Sequence, residues 1–417
     1  MMFSNSSGNN GSPLSADFHL YSRIIAGCCI ALLALSVGTG YSFGTLFTSL
    51  QDEFGWNRAD TVGIFSIFLL VAVAVVPVAL HFSNRYSPGP VALLAGIVAG
   101  LGLFLTSIAG SSWQIYLTYS LMLALGIGGI FSVAILTIAR WFSRKQTTLL
   151  VITGAGLGII IAAPVCGWLV SSYDWNDTCL VFGIIVWVIA IPLALFLKNP
   201  PREESGVDSS PQSTNISSRN FWMVFLLWLF SSFSLHMIMA HLIPNSIDQG
   251  ISLCKASFLF SILGGLTIVS ALIASSIPDM NDRKTLGIIF ALVGAISMFW
   301  IVEADELWRL CLFAVMFAPV WGGISFCALS ITPELWAGPD ARIRIMIVVA
   351  GWVAGGALGA YLGGYIFDSL GDYRFAFFLG AWAVIIAAAS IWNLRMPEPE
   401  TDEMLTGGHD DETYSEL

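Results

Sequence analysis

Apolar runs of about twenty residues follow one another along almost the whole chain, each broken by a short cluster of Gly, Pro or charged residues. A helix of that length crosses a bilayer. The pattern therefore predicts twelve spanning helices, spans 1 to 12, near 24–49, 59–82, 90–109, 113–139, 147–171, 178–197, 220–243, 255–277, 285–302, 307–331, 343–367 and 374–394. The runs at 178–197 and 285–302 are short, and Gly126, Gly128 and Gly129 divide the run at 113–139. The expected class is an all-α membrane protein.

Within span 11 the stretch GWVAGGALGAYLGG places Gly351, Gly355, Gly359 and Gly363 four residues apart. Each interior glycine costs a soluble helix about 1 kcal/mol relative to alanine. In lipid the same spacing makes a bare helix face that a second helix can approach closely. Span 5 carries a matching stripe through Gly154 and Gly158.

Composition agrees with a membrane class. Hydrophobic residues are 56% of the chain and charged residues 11%, against roughly 25% charged in soluble domains. The net charge of −10 is largely local, since eight acids and no Lys or Arg lie in the last twenty residues. That segment, 396–417, reads as a solvated acidic tail. Residues 1–23, rich in Ser, Asn and Gly, are expected to be disordered. They lack the basic start of a signal peptide, and the apolar run after them is too long for one. The seven cysteines show no zinc or redox spacing and read as small hydrophobes. Nothing points to a metal, a cofactor or nucleic acid.

The basic residues set an orientation. With twelve spans, Arg23, Arg85, Arg140, Arg144, Lys145, Lys198, Arg202, Arg219, Arg283, Lys284, Arg342, Arg344 and Arg395 share the side of both termini. Only Arg58, Lys255, Arg309 and Arg374 fall on the other. The positive-inside rule makes the termini cytoplasmic, in a plasma membrane or bacterial inner membrane.

The chain also resembles itself at an offset of roughly 194 to 198 residues, the parallel kind of internal repeat. Gly55 pairs with Gly250, Arg58-Ala59 with Lys255-Ala256, and Asn84-Arg85 with Asp282-Arg283. Gly128-Gly129 pairs with Gly322-Gly323, Gly154, Gly158 and Ala162 with Gly351, Gly355 and Gly359, and Asp174 with Asp372. The polar, Pro- and Ser-rich segment 198–219 reads as a cytoplasmic linker. The domains expected are therefore a six-helix bundle at 24–197 and a pseudo-symmetric second one at 220–395.

This six-plus-six arrangement resembles the major facilitator superfamily. The turns after spans 2 and 8 resemble its signature loop, roughly Gly-x-x-x-Asp-Arg-x-Gly-Arg, in degraded form. Asn84 replaces the first Asp, while Asp282, Arg283 and Lys284 keep part of the second loop. The resemblance implies that Asn84, Arg85, Asp282 and Arg283 belong to inward gate loops, with the Asn84 latch weakened. The phrases YSFGTLFTSLQDEFGWNRA, ARWFSRKQ, HLIPNSIDQGIS and GGYIFDSLGDYRFAFFLGA look like the bacterial monocarboxylate transporter and oxalate–formate antiporter group. That likeness covers nearly the whole chain. It implies a central cavity and alternating access for small organic anions. Span 8 departs from it, with Thr267 and Ala271 where the group commonly carries an Asp and an Arg. In this fold spans 2, 5, 8 and 11 line the seam between halves. Gly154, Gly158, Gly355 and Gly359 are therefore expected to form a sliding gate there, static packing being the alternative.

Ionisable side chains in mid-membrane are costly and usually functional, and few qualify. His236 lies about two-thirds of the way through span 7 and His241 near its far end. Their directions differ by about 140°, so they are expected at separate sites. Both are candidate proton-coupling residues, because imidazole titrates near physiological pH. Tyr41, Phe317 and Trp321, with His236, are the candidate substrate-binding residues on spans 1, 10 and 7, which surround the substrate in this fold. Arg140, Arg309, Arg342 and Arg344 stand near span ends. Asp279 and Asp282 form a lone Asp-x-x-Asp, too little for a diphosphate-binding membrane enzyme. No cluster of acids, histidines or a nucleophile at one depth suggests catalysis. The expected function is secondary active transport of a small organic solute, a mono- or dicarboxylate, by proton coupling or exchange in a monomer. The alternative is a transporter-fold sensor, or an exporter of a neutral or hydrophobic compound.

Overall fold

A computed structural model describes residues 13–200, 218–332 and 341–395, and every long element among them is a helix. Among the described residues, twelve helices are long and apolar enough to cross a membrane. They are α1 (Leu20–Phe54), α2 (Arg58–Tyr86), α3 (Pro88–Ser107), α4 (Ser112–Trp141), α5 (Arg144–Ser172), α6 (Trp175–Phe196), α7 (Arg219–Asp248), α8 (Leu253–Ser275), α9 (Met280–Glu303), α10 (Leu307–Ile331), α11 (Arg344–Leu370) and α12 (Arg374–Trp392). The disorder expected at residues 1–12, most of the expected linker, the acidic tail and the Arg342 side chain lie outside the described residues.

Local chemistry moves several boundaries. The helix leading into α1 begins at Pro13, not near residue 24, so residues 13–23 are helical where disorder was expected. Proline at a first helical position has the right φ and lacks only an N–H that would have no partner there. α9 also starts earlier than expected. The Asp279 carboxylate accepts from the backbone N–H groups of Asn281 and Asp282 at 2.7 and 3.1 Å, an N-cap that accounts for one acid of the Asp-x-x-Asp pair. α5 opens on a capping box in which Ser143 and Gln146 satisfy each other's backbone donors. α4 is continuous through its glycines but carries a π-helical turn over Tyr116–Leu123.

Helices α1 to α6 pack around one core, with Leu32, Phe43, Phe47, Phe65 and Tyr119 fully covered. Helices α7 to α12 pack around another, with Ile238, Phe260, Phe313 and Phe377. The halves meet along two seams, α5 against α8 and α2 against α11. Large apolar side chains such as Val188, Leu195, Trp382 and Trp392 remain exposed, which suits a surface bathed in lipid.

The ends of each half lie together. The Tyr21 hydroxyl donates to the Phe196 carbonyl at 2.8 Å, and the Asn220 amide to the Arg395 carbonyl at 2.9 Å. This is the terminal end of the bundle; the opposite one is the distal end.

Candidate functional site

The centre of the molecule is a polar pair inside an aromatic ring. Tyr41 of α1 and His236 of α7 hydrogen-bond across the halves, hydroxyl to Nε2, at 2.9 Å. Tyr41 sits at a break in α1, where the Ser42 hydroxyl bonds back to the Gly38 carbonyl at 2.7 Å. Such back-bonding bends helices. On α7 the i−4 spacing puts Ser232 beneath the imidazole, with its hydroxyl and its carbonyl each 3.0 Å from Nδ1. Space for the ring comes from Gly356 of α11, where a Cβ would stand 2.8 Å from His236 Nδ1. Phe65 and Trp321 flank Tyr41 at 5.9 and 5.3 Å between ring centroids, and Trp352 meets His236 at 5.6 Å. Five helices thus converge on one hydrogen bond. Of the four expected site residues, Tyr41, His236 and Trp321 come together. Phe317 does not join their ring contacts; it stacks on Phe313 at 5.2 Å in the core of its own half. Phe65 and Trp352 join the cluster unannounced.

His241 belongs to a second cluster, at the distal end. Arg58, the first residue of α2, is 7% exposed. Its guanidinium donates to Asp248 and to the Tyr373 oxygen, each at 2.6 Å, and lies 3.6 Å from the Phe367 ring centroid. The Asp368 carboxylate accepts from the backbone N–H groups of Arg58 and Ala59 at 2.9 and 2.7 Å, an anion at the positive end of α2. His241 continues the chain, with Nδ1 2.9 Å from the Tyr373 hydroxyl and Nε2 2.8 Å from the Ala360 carbonyl. Burial holds the Tyr373 phenol above its usual pKa, although Arg58 opposes this, so it remains a hydroxyl donor.

Arg58 and Ala59 belong to the first half, and all their partners here to the second. The other seam is tied more lightly at this end. The Ser171 hydroxyl is 3.5 Å from the Cys254 thiol, whose sulfur is 3.9 Å from the Gly167 carbonyl. Nearer mid-depth, Ser66 donates to the Ala357 carbonyl and Ser261 to the Ile160 carbonyl, each at 3.1 Å.

The glycine stripes lie elsewhere than expected. Gly351, Gly355 and Gly359 face Phe225, the Leu229 carbonyl and the Phe233 carbonyl, and Gly363 faces His241, all on α7. Gly154 and Gly158 face Leu33 and the Ala34 carbonyl on α1. Both stripes therefore hold helix pairs together inside a half, and the seam placement is corrected. The stripe recurs because α1 with α5 and α7 with α11 are equivalent contacts in the two halves. The seam uses other glycines: Gly156 against Gly264, and Gly364 against the Arg58 carbonyl.

The sequence pattern of the Major Facilitator Superfamily matches residues 28–342. The chain belongs to that superfamily. Its sequence relatives include human monocarboxylate transporter 11, 24% identical over 88% of this chain and 82% of that protein. Rat monocarboxylate transporter 13 is 26% identical over 86% of this chain and 85% of that protein. The fold resembles a bacterial homolog of the human lysosomal transporter Spinster, with TM-score 0.67, 15% identity and coverage of 89% and 96% of the two chains. It also resembles the D-xylose-proton symporter, with TM-score 0.68, 14% identity and coverage of 91% and 98%. These are transporters and not enzymes, and this chain is an integral membrane protein of their kind.

At the terminal end, the residues expected in gate loops bond within their own halves. Arg140 donates to the Asn84 and Asn199 side-chain oxygens. Arg85 lies 5.3 Å from the Tyr86 ring. Arg283 donates to the carbonyls of Ile277 and Pro278 at 2.7 and 3.0 Å, and the Asp282 N–H goes to Asp279. On α8, Thr267 and Ala271 are buried, with the Thr267 hydroxyl on the Leu263 carbonyl. Helix α10 approaches this segment closely through Gly322. No charged side chain is hydrogen-bonded to the central pair among the described residues.

Proposed function

We propose that this protein is a secondary active carrier that moves a small monocarboxylate, accompanied by a proton, between two bundles that rock about the central cluster. The reading rests on one observation: the hydrogen bond joining the halves at their centre, Tyr41 to His236, lies among Phe65, Trp321 and Trp352. A solute bound between the halves must replace that bond. A carboxylate does so well, because it can accept from the Tyr41 hydroxyl and from an imidazole N–H together. The aromatic faces then receive its apolar body. With Thr267 and Ala271 on α8, the cation for the carboxylate is a protonated His236. Proton and solute then favour each other's binding by the same factor.

In this reading the termini are cytoplasmic, the distal end is the outer face, and the carrier works as a monomer. The Arg58 cluster is the outer gate, while Asn84, Arg85, Asp282 and Arg283 border the inner one. The monocarboxylate transporter relatives support the solute class, as carriers so named in other organisms.

Uptake into cells or proteoliposomes, with labelled monocarboxylates, dicarboxylates and neutral solutes each presented with and without a pH gradient, tests the proposal. Accumulation of a monocarboxylate that collapses with the gradient is the expected result. Accumulation of neutral solutes alone would replace it with the neutral-compound alternative.

A further inference from the structure

The distal cluster has a fixed hydrogen-bond polarity. The Ala360 carbonyl can only accept, so the proton of a neutral His241 sits on Nε2. Nδ1 is then an acceptor, and the single Tyr373 hydroxyl proton points at it. That leaves the Tyr373 oxygen lone pairs to receive the Arg58 guanidinium, which also pairs with Asp248. Donation runs one way along the chain, from Arg58 to Tyr373 to His241 to Ala360. A chain with one direction polarises every link favourably.

A second proton on His241 reverses one link. Nδ1–H and the phenol O–H would face each other as two donors across 2.9 Å. The phenol would have to turn its proton away, and an imidazolium would stand beside the Arg58 guanidinium with one oxygen between them. The other groups packed on His241 offer no compensation. α1 presents the Phe47 ring, and α11 presents Gly363 and the Ala360 carbonyl, which is already in use. The acids of the cluster are also engaged, Asp248 on the guanidinium and Asp368 on the N-terminus of α2.

We infer that His241 is a proton-binding site that unlocks the distal gate: the gate closes only on neutral His241, and protonation from the distal side holds it open. The inference rests on the rocking-bundle reading above. Closure and proton release are then linked, and by reciprocity acid on the distal side favours the open state by the factor with which opening favours the proton. The proton on His241 differs from the one that travels with the solute, because it must leave before the gate closes over the cargo. The two histidines of α7 thus divide the work, His236 at the cargo and His241 at the door.

Spin labels on Glu53→Cys and Asp305→Cys, exposed residues of opposite halves near the distal end, report opening as a distance in full-length protein in lipid nanodiscs. The background carries no other reactive cysteine, and Arg58→Gln serves as the unlocked reference. Between about pH 8 and about pH 5.5, on either side of the ordinary histidine value, the long-distance population should rise several-fold in the wild-type sequence. His241→Gln and His241→Asn, which keep one amide donor and acceptor near the ring-nitrogen positions, should lose that rise. Asp248→Asn, with His241 intact, should keep it. An acid-driven rise that persists in both His241 variants, or that vanishes in Asp248→Asn, overturns the proposal. If both His241 variants are open at every pH, the Asp248→Asn arm decides. A single fixed distance at every pH and in Arg58→Gln would count against the rocking bundles themselves.

Discussion

Gly156 of α5 and Gly264 of α8 rest on each other's backbones: a Cβ on Gly156 would stand 2.8 Å from the Gly264 carbonyl oxygen, and one on Gly264 3.0 Å from that of Gly156. This reciprocal contact lies between the halves, whereas Gly359 rests on the Phe233 carbonyl within one half. Overpacking a close contact costs roughly 1–3 kcal/mol, and where the cost falls should separate the two sites. Gly264→Leu should leave membrane yield and thermal unfolding near normal, while pushing the seam apart and reducing uptake several-fold or more. Gly359→Leu should lower yield and unfolding temperature, because every state of the carrier needs the α7–α11 contact. Uptake and unfolding measured on both variants check this; matching profiles would erase the distinction between seam and bundle.

Asp368 supplies a second contrast. Its two bonds to the N–H groups of Arg58 and Ala59 are charge-assisted, but the carboxylate is exposed. A net worth of about 1 kcal/mol is therefore a reasonable scale. Asp368→Ala should raise the fraction of molecules open at the distal end about five-fold on that scale. Ser66→Cys, buried below the Arg58 cluster on the α2–α11 seam, should then react several-fold faster with an impermeant thiol reagent. An unchanged rate would mean that Asp368 caps α2 without locking anything.

These contrasts mark how far the sequence reaches. Twelve spans were legible because each must bury its own backbone bonds in lipid and so needs an unbroken apolar run. The glycine stripes were legible as close-packing faces, yet the pattern does not say which helix each face meets. Phe233 and Gly359 are joined by the fold, not by periodicity. The Arg58 cluster was invisible for a related reason. Its partners Asp248, Asp368 and Tyr373 lie 190, 310 and 315 residues along the chain, and as single acids and a tyrosine they looked like loop residues. The pairing of Arg58-Ala59 with Lys255-Ala256 and of Asp174 with Asp372 marked a repeat and did not point to a contact between the halves. His236 was legible as an ionisable group inside an apolar span, and Tyr41 only through the resemblance that places its span around the substrate. Trp352 was hidden among small residues whose glycines drew the eye.

Orientation yields to one thiol. With the native cysteines replaced, Ser209→Cys in the segment between the halves should resist an impermeant thiol reagent applied to intact cells and react once the cells are opened. The sequence split of the 17 basic residues, thirteen against four between the two sides of the twelve expected spans, leads to that expectation through the positive-inside rule. Labelling of intact cells would invert the assignment of distal to outer, and with it the side on which acid acts.

The pair Tyr41 and His236 offers the sharpest reading of coupling. Among the described residues the hydrogen-bond partners of His236 are the Tyr41 hydroxyl and Ser232, neither able to balance a charge. A carboxylate that displaces Tyr41 supplies that balance, so proton and solute should arrive together. Wild-type uptake from the distal side should rise as pH falls toward the range near 6–7 where imidazole ordinarily titrates. His236→Gln keeps a polar side chain of similar length but cannot carry the proton. It should flatten that rise and weaken apparent affinity, by roughly ten-fold if one charge-assisted bond of about 1.5 kcal/mol is lost. Tyr41→Phe removes a neutral donor only. It should raise KM by a few-fold and leave the shape of the pH profile intact, because the titrating group is untouched. Initial uptake rates over a grid of pH and solute concentration measure both effects at once. A His236→Gln variant with the wild-type profile would move the coupling proton elsewhere, and a Tyr41→Phe variant with a flattened profile would show that the phenol, not the imidazole, sets when the proton binds.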